Sequence, residues 1–166
     1  MAGQGLAHPR GLSAETLVGL TILAGGFVAG TRAGLTYNTF PLMDGAVVPA
    51  GYAQLHPFIM NWFENIAAIQ FNHRVLAIVT ATAIVALWAA SLPSPLPQKA
   101  RLALHMLLAV AGLQVALGIA TLVLAVPIPL AAAHQAGAVL LLTAAIVARH
   151  SLRRSASMDA RAEVPI

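Results

Sequence analysis

The chain has 166 residues, of which 59% are hydrophobic and only 8% are charged, and its mean hydropathy is +0.83. A soluble domain usually carries about 25% charged residues, so this composition excludes an ordinary soluble globule and requires that much of the surface face lipid. The net charge is +4 and the pI is about 10.8, but the basic residues lie at the ends of apolar segments, which is typical of membrane proteins and not of nucleic-acid binding.

Four apolar segments follow one another along the chain. They predict an all-α fold, an integral membrane four-helix bundle with helices at about 13–31, 66–91, 100–126 and 129–149. A bilayer core of about 30 Å needs about 20 helical residues, a length that the last three segments reach easily and the first only barely. An alternative interpretation of the first segment is a signal peptide. Against it, Gly26, Gly30 and Gly34 repeat at the four-residue spacing that favours close helix packing.

The breaks between the segments define one domain at 13–150. An outer loop at 32–65 separates the first two helices, Pro93 to Pro97 interrupt the chain after the second, and Pro127 and Pro129 predict a very tight turn between the last two. A tail at 1–12 precedes the domain and a basic tail at 151–166 follows it.

Lysine and arginine predict the orientation in the membrane. One side of the predicted bundle carries Arg10, Lys99, Arg101, Arg149, Arg153, Arg154 and Arg161, and the other carries Arg32 and Arg74. Because basic loops stay on the cytoplasmic side, both termini are expected to be cytoplasmic and the loop at 32–65 external. The predicted location is a bacterial inner membrane, crossed several times, with membrane lipid as the surrounding partner.

Two of the six histidines lie inside predicted spans at matched depth. His73 is about 10 Å into the second helix and His134 about 9 Å into the fourth, counted from the outer end at about 1.5 Å per residue. An ionisable side chain inside a membrane is costly and usually functional. Two imidazoles at one level on two helices therefore indicate a shared ligand.

Heme iron is the ligand that best suits such a pair, because it accepts two axial histidines from facing helices of a bundle. Zinc is a poorer alternative, since it normally takes four ligands and the chain has no cysteine. Small residues flank both histidines at helical spacing and would let a flat macrocycle approach, although small residues also serve plain helix packing. They are Ala77, Thr80, Ala81, Ala131, Gly137 and Ala138.

Polar residues near the pair have two interpretations. Gln70 and Gln135 are candidates to orient the imidazoles, and Arg74 and Arg32 to meet heme propionates. Alternatively, the two arginines only anchor the protein at lipid headgroups. Glu64 is a weak catalytic candidate, and its alternative role is a charge that suits a helix N-terminus.

Several motifs, in the right order, resemble the heme A synthase family. They are Gly34-Leu-Thr-Tyr-Asn-Thr-Phe-Pro-Leu-Met-Asp-Gly45, Asn61-Trp-Phe-Glu-Asn65, Gln70-Phe-Asn-His-Arg74 and Val126-Pro-Ile-Pro-Leu-Ala-Ala-Ala-His-Gln-Ala-Gly137. The resemblance covers roughly residues 13 to 150. It implies the C-terminal four-helix half of an eight-helix, pseudo-symmetric protein, with the half that holds the substrate site and its acidic residue missing from this chain.

The family oxidises the C8 methyl of heme O to the formyl of heme A for terminal oxidases. The resemblance implies a low-spin heme b held by His73 and His134 as axial iron ligands. It further implies heme O or heme A in a partner half or a second copy, an electron donor, and heme O synthase and the terminal oxidase as partners. Whether the chain is an enzyme by itself stays open. The alternatives are a complete small enzyme acting as a dimer, a non-enzymatic b-type heme electron-transfer or heme-carrying protein, and a structural assembly subunit.

Overall fold

The computed structural model describes residues 13–162, with side chains for 13–155. Within that range the chain forms α1 (Ala14–Gly30), α2 (Ile66–Ser91), α3 (Gln98–Val123) and α4 (Ile128–Ala162), and two short 3-10 segments at Ala33–Leu35 and Phe58–Trp62. The predicted all-α, four-helix fold is confirmed. The predicted tail at 1–12 lies outside the described residues, as do residues 163–166 of the predicted tail at 151–166.

Three of the four helices are long and apolar enough to cross a membrane. They are α2, α3 and the part of α4 from 128 to 155. Helix α1 is apolar but has only 17 residues, which at 1.5 Å per residue is about 26 Å. The chain is therefore a membrane protein by the length and composition of three helices, and the fourth span stays a prediction.

The turn between α3 and α4 is as tight as its prolines predict. Ala125 and Val126 both adopt left-handed backbone conformations, with φ of 57° and 58°, and the Val126 amide donates to the Thr121 carbonyl at 2.8 Å. These conformations reverse the chain at once. Pro129 then falls in the first turn of α4, where the missing amide hydrogen is not needed.

Helix α4 is longer than predicted. The sequence analysis ends it at 149 and treats 151–166 as a tail, but the helix continues to Ala162. The physical reason is composition, because neither glycine nor proline occurs between Gly137 and Pro165. Polarity alone does not end a helix once its backbone hydrogen bonds are established.

The helices close into a ring. Consecutive helices pack side by side and α1 also packs against α4, so α2 lies diagonally opposite α4, and α1 diagonally opposite α3. An ion pair between Glu15 and Arg149 joins the start of α1 to the late part of α4. This end of the bundle is the predicted cytoplasmic end.

The apolar core occupies that same end. It consists of Val18, Ile84, Leu104, Leu107, Ala111, Leu141, Ala145 and Ala148. Towards the outer end, by contrast, the helical stretches 19–30, 71–79, 112–120 and 128–140 contain no buried residue. All four helices thus lose their close packing at one level, and both histidines of the predicted pair lie in that layer.

The outer loop is organised by two asparagines. Asn61 is 1% exposed; it accepts from the Leu55 amide at 3.0 Å and donates to the carbonyls of Leu55 and Phe58, each at 2.9 Å. Asn65 accepts from the Ala68 amide and so caps α2, while its own amide donates to the Asn61 side chain at 2.8 Å. These bonds fix the loop on the first turn of α2.

Replacing Asn61 by alanine is expected to loosen this loop. The variant removes the partners of the Leu55 amide and of the Leu55 and Phe58 carbonyls, which are part-buried, at about 1–3 kcal/mol for each group that stays away from water. Hydrogen exchange of the Leu55 amide in detergent or nanodiscs should rise strongly. Glu64→Gln is the matched control, because Glu64 is exposed and a surface change usually stays within about 0.5 kcal/mol. Equal exchange in both variants would contradict this account of the loop.

Candidate functional site

His73 and His134 project from the two diagonal helices at the loosely packed level. His73 lies on α2 and His134 on α4, and each side chain is half-buried. The structure therefore places the two residues that sequence depth selected on diagonally opposite helices of one layer.

Each imidazole rests against a glycine of the helix that precedes its own. An ideal Cβ atom at Gly25 of α1 would stand 3.1 Å from Cε1 of His73, and one at Gly118 of α3 would stand 2.9 Å from Cε1 of His134. Side chains of any other residue type would crowd these rings. In each helix pair the glycine leaves a gap in the helix surface, here called a notch, and the edge of the histidine ring lies in this notch.

The nitrogens of the two rings also have matching surroundings. Nδ1 of both His73 and His134 is buried and lacks a hydrogen bond of good geometry. The backbone carbonyl of Thr21 nevertheless lies next to His73, and that of Gln114 next to His134. In an α-helix these carbonyls, four residues before the glycines, stand directly beneath the notch. A ring that carries its proton on Nδ1 keeps Nε2 as the nitrogen that can bind a ligand.

The surroundings of the pair fit a flat macrocycle. Ala77, Ala131, Gly137 and Ala138 are half-buried at this level, so several of the side chains near the pair are small, while the Gln114 side chain lies against Gly137. The chemistry of two imidazoles with unpartnered nitrogens suits heme iron. Among the described residues no three histidines, aspartates or glutamates come together, and a two-ligand heme site does not need a third.

Arg74 and Gln70 are tied to the outer loop. The Arg74 guanidinium donates from Nη2 to the Tyr37 carbonyl at 2.8 Å and from Nη1 to the Thr39 carbonyl at 2.9 Å. Gln70 donates to the same Tyr37 carbonyl at 3.0 Å. Arg74 Nε and Gln70 Oε1 stay buried without partners. Both residues therefore hold the loop. Each also keeps one polar atom without a partner next to the loosely packed level of His73 and His134, which is called the histidine layer below.

The loop segment 37–39 bridges the mouth of the bundle. Besides its bonds to α2, Asn38 donates to the Leu122 carbonyl at the end of α3 at 3.0 Å. The segment therefore spans from α2 to α3 over the outer end of the histidine layer. A cover in this position restricts the access of water to the space below.

Three other sequence candidates lie apart from the pair. Gln135, Arg32 and Glu64 are all exposed. Arg32 begins the first 3-10 segment with a left-handed backbone, φ 54°, and Glu64 lies in the loop just before α2. The structure does not bring these side chains together with the two histidines, and their predicted roles stay predictions.

Gln114 is a neighbour of the site that the sequence analysis missed. Its amide donates to the His134 carbonyl at 2.8 Å, and its Oε1 is buried without a partner against Gly137. A lone amide side chain in the middle of an apolar span was the available signal, because polar groups inside a membrane require partners.

A separate apolar groove of about 380 Å³ lies between α1 and α2 at the outer end. Phe27, Trp62 and Phe63 contribute to its lining, and neither histidine does. The groove therefore lies partly at the level of the two histidines, since residues of 19–30 and 71–79 line it, but it does not contain either ring.

Four helices, three of them long and apolar enough to span a membrane, define a helical-bundle membrane protein. The family described as Cytochrome oxidase assembly protein, COX15-CtaA, matches residues 6–146. The chain belongs to this family, which confirms the resemblance found in its motifs.

Individual relatives carry the same name as the family resemblance. The chain is 48% identical to Heme A synthase of Nitrosospira multiformis over 160 residues, which are 92% of this chain and 45% of the relative. It is 53% identical over 158 residues to Heme A synthase of Granulibacter bethesdensis, covering 92% of this chain and 41% of the relative. Human Heme A synthase COX15 is 48% identical over 138 residues, 83% of this chain and 34% of the relative.

The chain spans less than half the length of these curated relatives. No solved structure matches it.

Proposed function

We propose that this chain is the heme b-binding part of a heme A synthase and acts in heme A biosynthesis. The observation that carries the proposal is the pair His73 and His134, which lie on diagonally opposite helices in the loosely packed layer of the bundle, each with its ring against a glycine of the preceding helix. Family membership and relatives named Heme A synthase, at 48% and 53% identity, support the same assignment.

In this proposal His73 and His134 would hold the heme iron through Nε2. Each ring is neutral, with its Nδ1 hydrogen directed at the carbonyl of Thr21 or Gln114, because a ligating histidine uses its other nitrogen to fix its orientation. When bound, a heme with two such ligands supplies reversible one-electron transfer. The protein positions the rings, keeps the layer apolar with small side chains, and limits water with the loop segment 37–39.

The complete reaction belongs to a larger assembly in this proposal. Oxidation of the C8 methyl of heme O to a formyl group takes place at a substrate site in a partner half or in a second copy, with this chain as the C-terminal half that passes electrons. An electron donor, heme O synthase and the terminal oxidase are the proposed partners.

The proposed location is a bacterial inner membrane with both termini in the cytoplasm. The support is the distribution of basic residues, since Lys99, Arg101 and Arg149 lie at the same end of the bundle as its packed core. Cytoplasmic loops of membrane proteins carry such an excess.

A second candidate is a non-enzymatic b-type heme protein that transfers electrons or carries heme. The observation in its favour is that the described residues contain one histidine pair between helices, with the acidic candidate Glu64 exposed and apart from it. This candidate predicts reversible reduction without any change in the side groups of the heme.

Pigment extraction with mass analysis separates these candidates. The chain is produced in membranes with heme supply, purified, and its pigment identified, and then incubated with heme O and a reductant. A low-spin heme b spectrum supports the proposal, and formation of heme A only after addition of a separately produced second half supports the division of labour. Heme b without conversion in the joined assembly favours the second candidate, and a colourless protein overturns both.

A further inference from the structure

We propose that Gly25 and Gly118 are positioning residues that set the orientation of the two imidazoles through close contact with the ring edges. This inference rests on the proposed heme-binding function and adds to it two residues on helices that carry no ligand. It concerns the chain's own backbone, and so it can be tested with and without heme.

The distances describe an edge that points straight into each notch. At Gly118 an ideal Cβ would lie 2.9 Å from His134 Cε1 and 3.5 Å from both ring nitrogens. At Gly25 the corresponding distances to His73 are 3.1 Å, and 3.6 and 3.7 Å. Because the two ring nitrogens lie at nearly equal distances from the ideal Cβ position, Cε1 is the ring atom that points into the notch, with one nitrogen on each side of it. A bonded methyl at either position would push the ring away along this line.

Other glycines of the same helices have no such neighbour. An ideal Cβ at Gly26, next to Gly25 on α1, or at Gly112, on α3, would meet nothing within 4 Å. The general abundance of glycine in membrane helices is therefore enough to explain the presence of Gly26 and Gly112. It does not explain why Gly25 and Gly118 each contact a histidine ring. The chain thus supplies a matched control for each positioning glycine.

The buried nitrogens give the contact its consequence. Nδ1 of each ring is buried and has no hydrogen bond of good geometry, and the backbone carbonyl of Thr21 lies near His73 and that of Gln114 near His134. A ring displaced by a methyl group moves Nδ1 off this carbonyl and rotates Nε2 relative to the second histidine. The two notches together therefore determine the angle between the imidazole planes.

The test compares Gly118→Ala and Gly25→Ala with the controls Gly112→Ala and Gly26→Ala. In heme-loaded protein, electron paramagnetic resonance of the ferric state reports the angle between axial imidazole planes. We expect altered g values and about 10- to 100-fold weaker heme binding, the usual loss when the support of a metal ligand is removed. The effect should be larger at Gly118, where the approach is closer, and the controls should retain the parent spectrum.

A heme-free measurement separates this inference from the proposed function. Nitrogen-15 NMR of the histidine rings reports which nitrogen is protonated and whether it is hydrogen-bonded. We expect the His134 signals to shift in Gly118→Ala and to stay in place in Gly112→Ala. If Gly118→Ala prevents folding, Gly25→Ala provides the milder comparison through His73.

The outcomes are distinct. Identical ring signals and identical g values in the glycine variants and their controls would overturn the positioning role. A colourless parent protein whose His134 signals still respond to Gly118→Ala would keep the positioning role and reject heme binding.

Discussion

Alanine in place of His73 or His134 is expected to abolish the low-spin heme spectrum. Each substitution removes one of two proposed axial ligands, so the iron should become high-spin and heme content should fall by more than about tenfold, since loss of a supporting contact alone costs that much. The double variant should be colourless. Absorption spectra and heme-to-protein ratios of purified protein measure both effects.

His105→Ala is the matched control for these variants. His105 lies on α3 and is exposed, and its Nδ1 is hydrogen-bonded to the Arg101 carbonyl at 2.7 Å. Its ring meets Trp88 edge to face at 6.2 Å, far along the bundle from the histidine layer. The control should retain the full spectrum. A parent-like spectrum in both His73→Ala and His134→Ala would remove the basis of the proposed function.

Alanine in place of Arg74 is expected to open the cover over the site. The variant deprives the carbonyls of Tyr37 and Thr39 of a charged donor, and hydrogen bonds to charged groups contribute about 1.5–3 kcal/mol each. The segment 37–39 should then exchange its amide hydrogens much faster. Mass spectrometry of hydrogen exchange in nanodiscs, read over peptides that contain 37–46, measures the change.

Two comparisons sharpen this prediction. Arg74→Lys keeps the charge but lacks the fork that reaches two carbonyls at once, so it should protect the loop only in part. Arg32→Ala removes an exposed arginine at the same end of the bundle and should leave exchange unchanged. If Arg32→Ala opens the segment as much as Arg74→Ala does, the effect comes from outer charge and not from these two bonds.

The sequence was sufficient for the architecture because its signals were local. The apolar segments, the proline pair around Ile128 and the lone histidines at equal depth each report on a few neighbouring residues. From them follow the four helices, the tight last turn and the placement of His73 and His134 at one level of the bundle. Where helix α4 ended could not be predicted from polarity, because backbone hydrogen bonds continue through polar residues when no glycine or proline intervenes.

The contacts of the site depend on tertiary geometry and were not predictable in this way. In the sequence, Gly25 and Gly118 cannot be told apart from other glycines of apolar helices, because only the rotation of α1 and α3 about their axes shows which glycines contact a histidine ring. The partner of the Gln114 amide, the His134 carbonyl, likewise depends on how α3 packs against α4. Arg74 was predicted to meet a propionate, and only the path of the loop reveals the two carbonyls that it holds.

The diagonal placement of α2 and α4 has a consequence for assembly. Each histidine belongs to a different helix pair, and the apolar core joins these pairs at the predicted cytoplasmic end. A molecule bound by both rings would join them at the other end as well. Its binding would raise the free energy of unfolding of the bundle by about 2.7 kcal/mol at a concentration 100 times the dissociation constant. Supply of that molecule would then govern how long the newly made chain survives proteolysis.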